Sequence, residues 1–180
     1  MYVFTLREIK ELLISALVIT FVIAWPDVFG VRGILNFSLL FLFVGLGFLV
    51  HEIAHKLTAQ SLGAWSEFVM WKTGLLIALF LKLFTGTTII APGATLWAKP
   101  FASTEDEGKV SVAGPLANIF LAFLFNILSP IFPIFKIGAF INGQLALFNL
   151  IPFPPLDGIK VLFWNPIVWI ISVVLAIVVS

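Results

Sequence analysis

The only two histidines of the chain lie four residues apart, in His51-Glu52-Ile53-Ala54-His55. On an α-helix, residues i and i+4 fall within about 40° of each other around the axis, so both imidazoles project from one face. Two imidazoles so placed can chelate one zinc ion, and Glu52 beside them can take a proton from water activated there. The competing reading is a pair of helical histidines hydrogen-bonded to their neighbours. A hydrolytic zinc site usually takes three protein ligands and keeps one position open. With no cysteine and no further histidine, the third ligand must be a carboxylate. Asp27 lies at the wrong end of the first apolar run, Glu105, Asp106 and Glu107 form a solvated cluster, and Glu67 falls in a candidate strand. Asp157 stands among apolar residues at a proline-broken junction, where bends and freed backbone groups can turn a side chain inward. Its alternative role is a cap on the helix that follows. Asn118 and Asn149 are amides inside apolar runs, suited to binding substrate, orienting ligands, or bonding helix to helix.

The elements that must position these groups are membrane helices. The chain is 61% hydrophobic and 11% charged, with a mean hydropathy of +1.16. A water-soluble domain runs about 45–50% apolar and about 25% charged, so the composition predicts an integral membrane protein, read as a single domain over residues 1–180. The net charge of +1 says little about partners, and no basic tract points to a nucleic acid; the lipid bilayer is the expected surrounding. The fold class is mainly α and polytopic, with five to six transmembrane helices. Spans are expected at about residues 12–25, 34–56, 110–128, 131–150 and 159–179. The first reads as a retained span, since no small-residue cleavage pattern follows it. Gly45 and Gly47 allow close helix contact in the second, which carries the histidines. Residues 64–98 form a short strand and re-entrant region after it. There, residues 65–71 read as a strand and 75–84 are too short to cross. Thr87–Ala91 and Ala94–Ala98, separated by Pro92-Gly93, read as a β-hairpin.

If 75–84 does not cross, Arg7, Lys10, Lys56, Lys72, Lys82, Lys99, Lys109 and Lys160 share one side, with Arg32 and Lys136 opposite. Positive charge on the inner face then puts the N-terminus and the histidine end of the second span in the cytoplasm, at the cell membrane. The same five-span arrangement places two crossings between His55 and Asp157, which returns Asp157 to the depth of the histidines. A sixth crossing would carry it to the far side.

Three blocks now stand in order within hydrophobic segments: His51-Glu52-Ile53-Ala54-His55, Ala113-Gly114-Pro115-Leu116-Ala117-Asn118, and Asn149 through Pro152 to Leu156-Asp157-Gly158. Over roughly residues 51–158 the chain resembles the site-2 protease family of intramembrane zinc metalloproteases, in a minimal form without a PDZ or CBS domain. The resemblance implies that His51, His55 and Asp157 hold one zinc ion and that Glu52 is the catalytic acid/base. It also implies that the substrate is a transmembrane segment of another protein. A helical peptide bond is shielded and must be unwound before cleavage. An exposed strand edge, at residues 65–71 or in a hairpin over 89–97, could then pair with the extended substrate, or simply plug the site. Two rivals use the same residues: a membrane ion or metal transporter, and a non-proteolytic homologue that binds partner helices. The first predicts ionisable groups along a path through several spans. The second has no need of Glu52.

Overall fold

The computed structural model describes residues 4–29, 32–88, 90 and 92–180. It is mainly helical, with two compact units: Met1–Leu49 with Glu67–Leu96, and Val50–Ser66 with Trp97–Ser180.

In the first unit, α1 (Leu6–Ala24) starts where the Thr5 hydroxyl accepts the Glu8 N–H, and stops at Trp25, held extended by the proline that follows. Its buried face runs Glu8, Leu12, Ser15, Ala16, Ile19 and Thr20, a helical spacing rich in small residues. Thr20 donates to the Ala16 carbonyl of its own helix at 2.7 Å, so the buried hydroxyl is satisfied. The next helix, Gly33–Ser61, is built from α2 (Gly33–Leu40), a π-helical turn (Phe41–Gly45) and α3 (Leu46–Ser61), whose residues from Val50 on belong to the second unit. A Cβ on Gly45 would come within 2.7 Å of the Phe41 ring and 3.1 Å of the Thr20 hydroxyl, so only glycine lets α1 approach the π-turn.

β1 (Trp65–Met70) and β2 (Gly93–Ala98) form a two-stranded sheet. The Trp71 N–H donates to the Pro92 carbonyl at 3.0 Å, which sets the end of β1 beside the start of β2. The expected hairpin between Thr87–Ala91 and Ala94–Ala98 is therefore corrected. Ala94–Ala98 pairs with β1, and Thr87, Thr88 and Ile90 are not in a strand, while Ile89 and Ala91 lie outside the described residues. The physical reason is at Pro92-Gly93. Gly93 has φ 131°, and its missing Cβ would sit 2.8 Å from the Met70 Cα, so this pair docks on β1 and does not turn a hairpin. The other edge of β1 is closed by α1. The Phe68 N–H donates to Glu8 and the Met70 N–H to Glu11, both at 2.9 Å, and Arg7 donates to Glu67. Two carboxylates thus occupy the place of a third strand. Between the strands, α4 (Lys72–Thr85) is about 21 Å long and ends at Gly86, whose φ of 74° suits a residue without Cβ.

In the second unit, α5 (Thr104–Leu128) opens with a capping box: Ser103 accepts the Asp106 N–H and Asp106 accepts the Ser103 N–H. Acids at 105–107 suit the positive helix end, and Lys109 pairs with Glu105. Below this turn the helix is apolar. It packs with α6 (Phe135–Asn149) and α8 (Pro166–Val179) around Ile119, Ala122, Ala146, Leu150, Ala176 and Val179. The last expected span is two helices: α7 (Asp157–Trp164) ends at Asn165, whose side chain caps α8 by accepting the Ile167 and Val168 N–H groups. Pro166 has no N–H to continue α7 and suits the first turn of α8.

The outer faces are as apolar as the core. Ile167, Ile170, Ile171, Val174 and Val178 are exposed on α8, and Phe120, Phe123 and Ile127 on α5. Helices that are apolar all round suit the core of a large protein or the lipid of a membrane. Among the described residues two helices, Gly33–Ser61 and Thr104–Leu128, are long and apolar enough to cross a bilayer.

Candidate active site

Three helices of the second unit converge on the histidines. His51 and His55 lie one turn apart on α3, their rings 4.6 Å between centroids. α5 passes against them at Gly114, where an added Cβ would lie 2.7 Å from the Cε1 and Nε2 atoms of His51 and closer still to His55 Nε2. Pro115, next in the chain, has no N–H to give the Ser111 carbonyl. One turn up, the Val110 carbonyl accepts from His55 Nδ1 at 2.7 Å. The Asn118 amide oxygen accepts from His51 Nδ1, also at 2.7 Å.

Asp157 enters from the proline-rich turn between α6 and α7. That turn is closed around one carbonyl, Leu150, which accepts the Trp169 indole N–H at 2.8 Å. Gly158 lies so near it that a Cβ would also come within 2.7 Å of the Ile151 carbonyl. Leu156, not Asp157, is the N-cap of α7, and it makes no side-chain cap bond. The Asp157 carboxylate points to the histidines instead, with Oδ2 at 3.3 Å from His51 Nε2 and 3.2 Å from His55 Nε2. The two Nε2 atoms are 3.0 Å apart.

These distances fit a metal. Both Nδ1 atoms face oxygen acceptors and so carry the ring hydrogens, leaving each Nε2 with a lone pair. Three lone-pair atoms within 3.0–3.3 Å of one another repel unless a proton or a metal cation lies between them. A tetrahedral ion with bonds of about 2.0–2.1 Å needs ligand–ligand edges of about 3.3–3.4 Å, close to those present. His51, His55 and Asp157 are also the group that could hold a metal ion among the described residues.

Glu52 is buried on α3 at 8% exposure, about 60° around the helix from His55. Asn118 is fully buried, and its Nδ2 donates to Asn142 Oδ1 at 3.1 Å, while Asn142 Nδ2 donates to the Gly138 carbonyl at 3.0 Å. Asn149 is placed differently: its amide donates to the Leu145 carbonyl of its own helix. Sequence reasoning passed over Gly114 and Asn142. Gly114 stands inside a quoted motif, and Asn142 is an amide in an apolar span, which was the available signal.

Comparison with known proteins points to the same metal. No family model matches the chain. No solved structure matches it. The chain is 46% identical over 175 residues to MJ0611 of Methanocaldococcus jannaschii, covering 93% of this chain and 90% of that one. It is 29% identical over 143 residues to YwhC of Bacillus subtilis, covering 65% of this chain and 64% of the relative. Both carry the name "Putative zinc metalloprotease". It is also 31% identical over 119 residues to stage IV sporulation protein FB of Bacillus subtilis, covering 64% of this chain and 36% of that protein. With nearly half its residues shared along almost the whole of MJ0611, and with a zinc-compatible His-His-Asp cluster, the chain belongs to the site-2 protease family of zinc metalloproteases.

Proposed function

We propose that this protein is an intramembrane zinc endopeptidase that hydrolyses a peptide bond within or near a transmembrane segment of another membrane protein. The observation that carries the reading is the His51–His55–Asp157 cluster, with edges of 3.0–3.3 Å, set among helices whose outer faces are apolar. A zinc ion held by His51 Nε2, His55 Nε2 and Asp157 would supply Lewis acidity towards the scissile carbonyl and lower the pKa of water towards about 7. Glu52 takes the proton that water loses as it attacks, and returns it to the amine nitrogen as the peptide bond breaks. The Val110 carbonyl and Asn118 hold the imidazoles by their Nδ1–H groups.

The depth of the site supports five spans, at about 12–25, 34–56, 110–128, 131–150 and 159–179. Contact between Asp157 and the histidines requires an even number of crossings between them, and α5 with α6 supplies two. The segment containing α4 leaves the sheet at Trp71 and returns to it at Pro92, one hydrogen bond away, so it adds no net crossing. The basic residues then gather on the cytoplasmic side, with the N-terminus and the active-site end. Among the described residues both edges of β1 are taken, by β2 and by the α1 carboxylates, so the 65–71 edge is closed to a substrate strand.

The test is cleavage of a purified single-span membrane substrate by wild type, by Glu52→Gln, and by wild type treated with a zinc chelator. The reading expects products from untreated wild type alone. Cleavage that persists in Glu52→Gln sinks it.

A further inference from the structure

We infer that Asn142 is a positioning residue that fixes, through Asn118, which nitrogen of His51 carries the hydrogen. The inference rests on the reading of His51 as a metal ligand. Its starting point is that two amides, each fully buried, stand in line between a histidine and a backbone carbonyl. An amide has a donor end and an acceptor end of nearly equal size, so shape alone does not set its direction. The Gly138 carbonyl does, because it has no hydrogen to give. Asn142 must turn its Nδ2 towards Gly138, at 3.0 Å. Its Oδ1 then faces Asn118, which must donate Nδ2, at 3.1 Å. The Asn118 Oδ1 in turn faces His51 Nδ1 at 2.7 Å, and that nitrogen must carry the hydrogen.

The outcome matters at the far side of the ring. With the hydrogen on Nδ1, His51 Nε2 keeps its lone pair and points at the position flanked by His55 Nε2 and Asp157 Oδ2. Were the chain of amides reversed, Asn118 would press an N–H on Nδ1 and drive the hydrogen to Nε2, blocking ligation. His55 reaches the same state in one step, from the Val110 carbonyl, and is independent of Asn142. The bland alternative is that Asn118–Asn142 merely joins α5 to α6, as amides do in membrane bundles. That alternative predicts a loss of stability with no change in where either histidine holds its hydrogen.

The experiment uses full-length protein labelled with ¹⁵N-histidine and stripped of metal. A chain with only two histidines gives two sets of ring nitrogens, assigned with His51→Gln. Wild type should show the hydrogen on Nδ1 in both rings. In Asn142→Leu, His51 should move towards an Nε2–H state while His55 stays unchanged, and zinc affinity, read by competition with a chromophoric chelator, should fall about 10–100-fold. Asn142→Asp should restore both readouts, because a buried carboxylic acid can donate O–H to Gly138 and offer C=O to Asn118. Adding Asn118→Asp to Asn142→Leu should restore zinc affinity, since a carboxylate accepts from His51 whichever way it lies. A His51 ring in metal-free wild type that carries its hydrogen on Nε2 and none on Nδ1 overturns the inference without any variant. So does a folded Asn142→Leu with wild-type proton placement and zinc affinity. Full zinc binding by His51→Ala would instead overturn the ligand assignment, a separate result.

Discussion

Replacing Gly114 by alanine separates a metal site from a structural histidine cluster, because only the first predicts a loss of zinc affinity. A Cβ at this position would lie 2.7 Å from two atoms of the His51 ring, and nearer to His55 Nε2, where ordinary contact begins at 3.4 Å. At least one ring must therefore shift by about 0.7 Å or more, against a tolerance of about 0.2 Å for zinc–ligand distances. Disturbing a residue that only supports a ligand costs about 10–100-fold in metal affinity, so displacing the ligands themselves should cost more than about 100-fold. Alanine is also a better helix former than glycine by about 1 kcal/mol, and the imidazoles are the atoms in its way, not backbone. Gly114→Ala should thus fold, with metal-free thermal stability near that of wild type, yet bind zinc poorly in a chelator competition. Wild-type zinc affinity in the folded variant would falsify the placement of the metal against α5.

Three further outcomes follow from the same geometry. Glu52→Gln should lower kcat by about 10²–10⁴ while zinc content stays at one ion per chain, since Glu52 handles the proton and not the metal; loss of zinc would reassign it as a ligand. Glu8→Gln should destabilise the protein by about 1–2 kcal/mol, because a neutral amide accepts the Phe68 N–H less strongly than a carboxylate does; an unchanged unfolding midpoint in detergent refutes the edge closure. At the head of α5, outside the membrane-spanning residues, the Ser103 N–H bond and then Lys99 hold the Asp106 carboxyl down at about 2. A lowered pKa means that its stabilising effect is complete above about pH 4 and is lost as pH falls through about 2. A carboxyl NMR titration of Asp106 with its midpoint near 3.8 would contradict the capping box.

The chemistry of the site was legible because its residues are rare and costly where they stand. Two histidines and an acid in apolar segments have few uses besides a metal, and Asp157 stands out as an acid at a proline-broken junction. The partner of β2 was not legible. Alternating residues announce a strand but not which strand it pairs with, and that choice was made by Gly93 fitting against Met70 and by Glu8 and Glu11 filling the far edge of β1. Gly114 and Asn142 were hidden for a related reason. A small residue or an amide in a membrane helix has a packing role by default, and only the position of facing side chains raised these two above it. Asn149 met the same pattern requirements, and its amide turns back to Leu145.

The central claim is that the His51–His55–Asp157 site works inside the bilayer. It is tested most directly by mapping, with mass spectrometry, where wild-type protein in lipid vesicles cuts a single-span substrate whose flanking tails contain exposed peptide bonds. The account predicts one dominant cut within the apolar span or at its cytoplasmic boundary. Products cut only in the water-exposed tails, with the span intact, would contradict it.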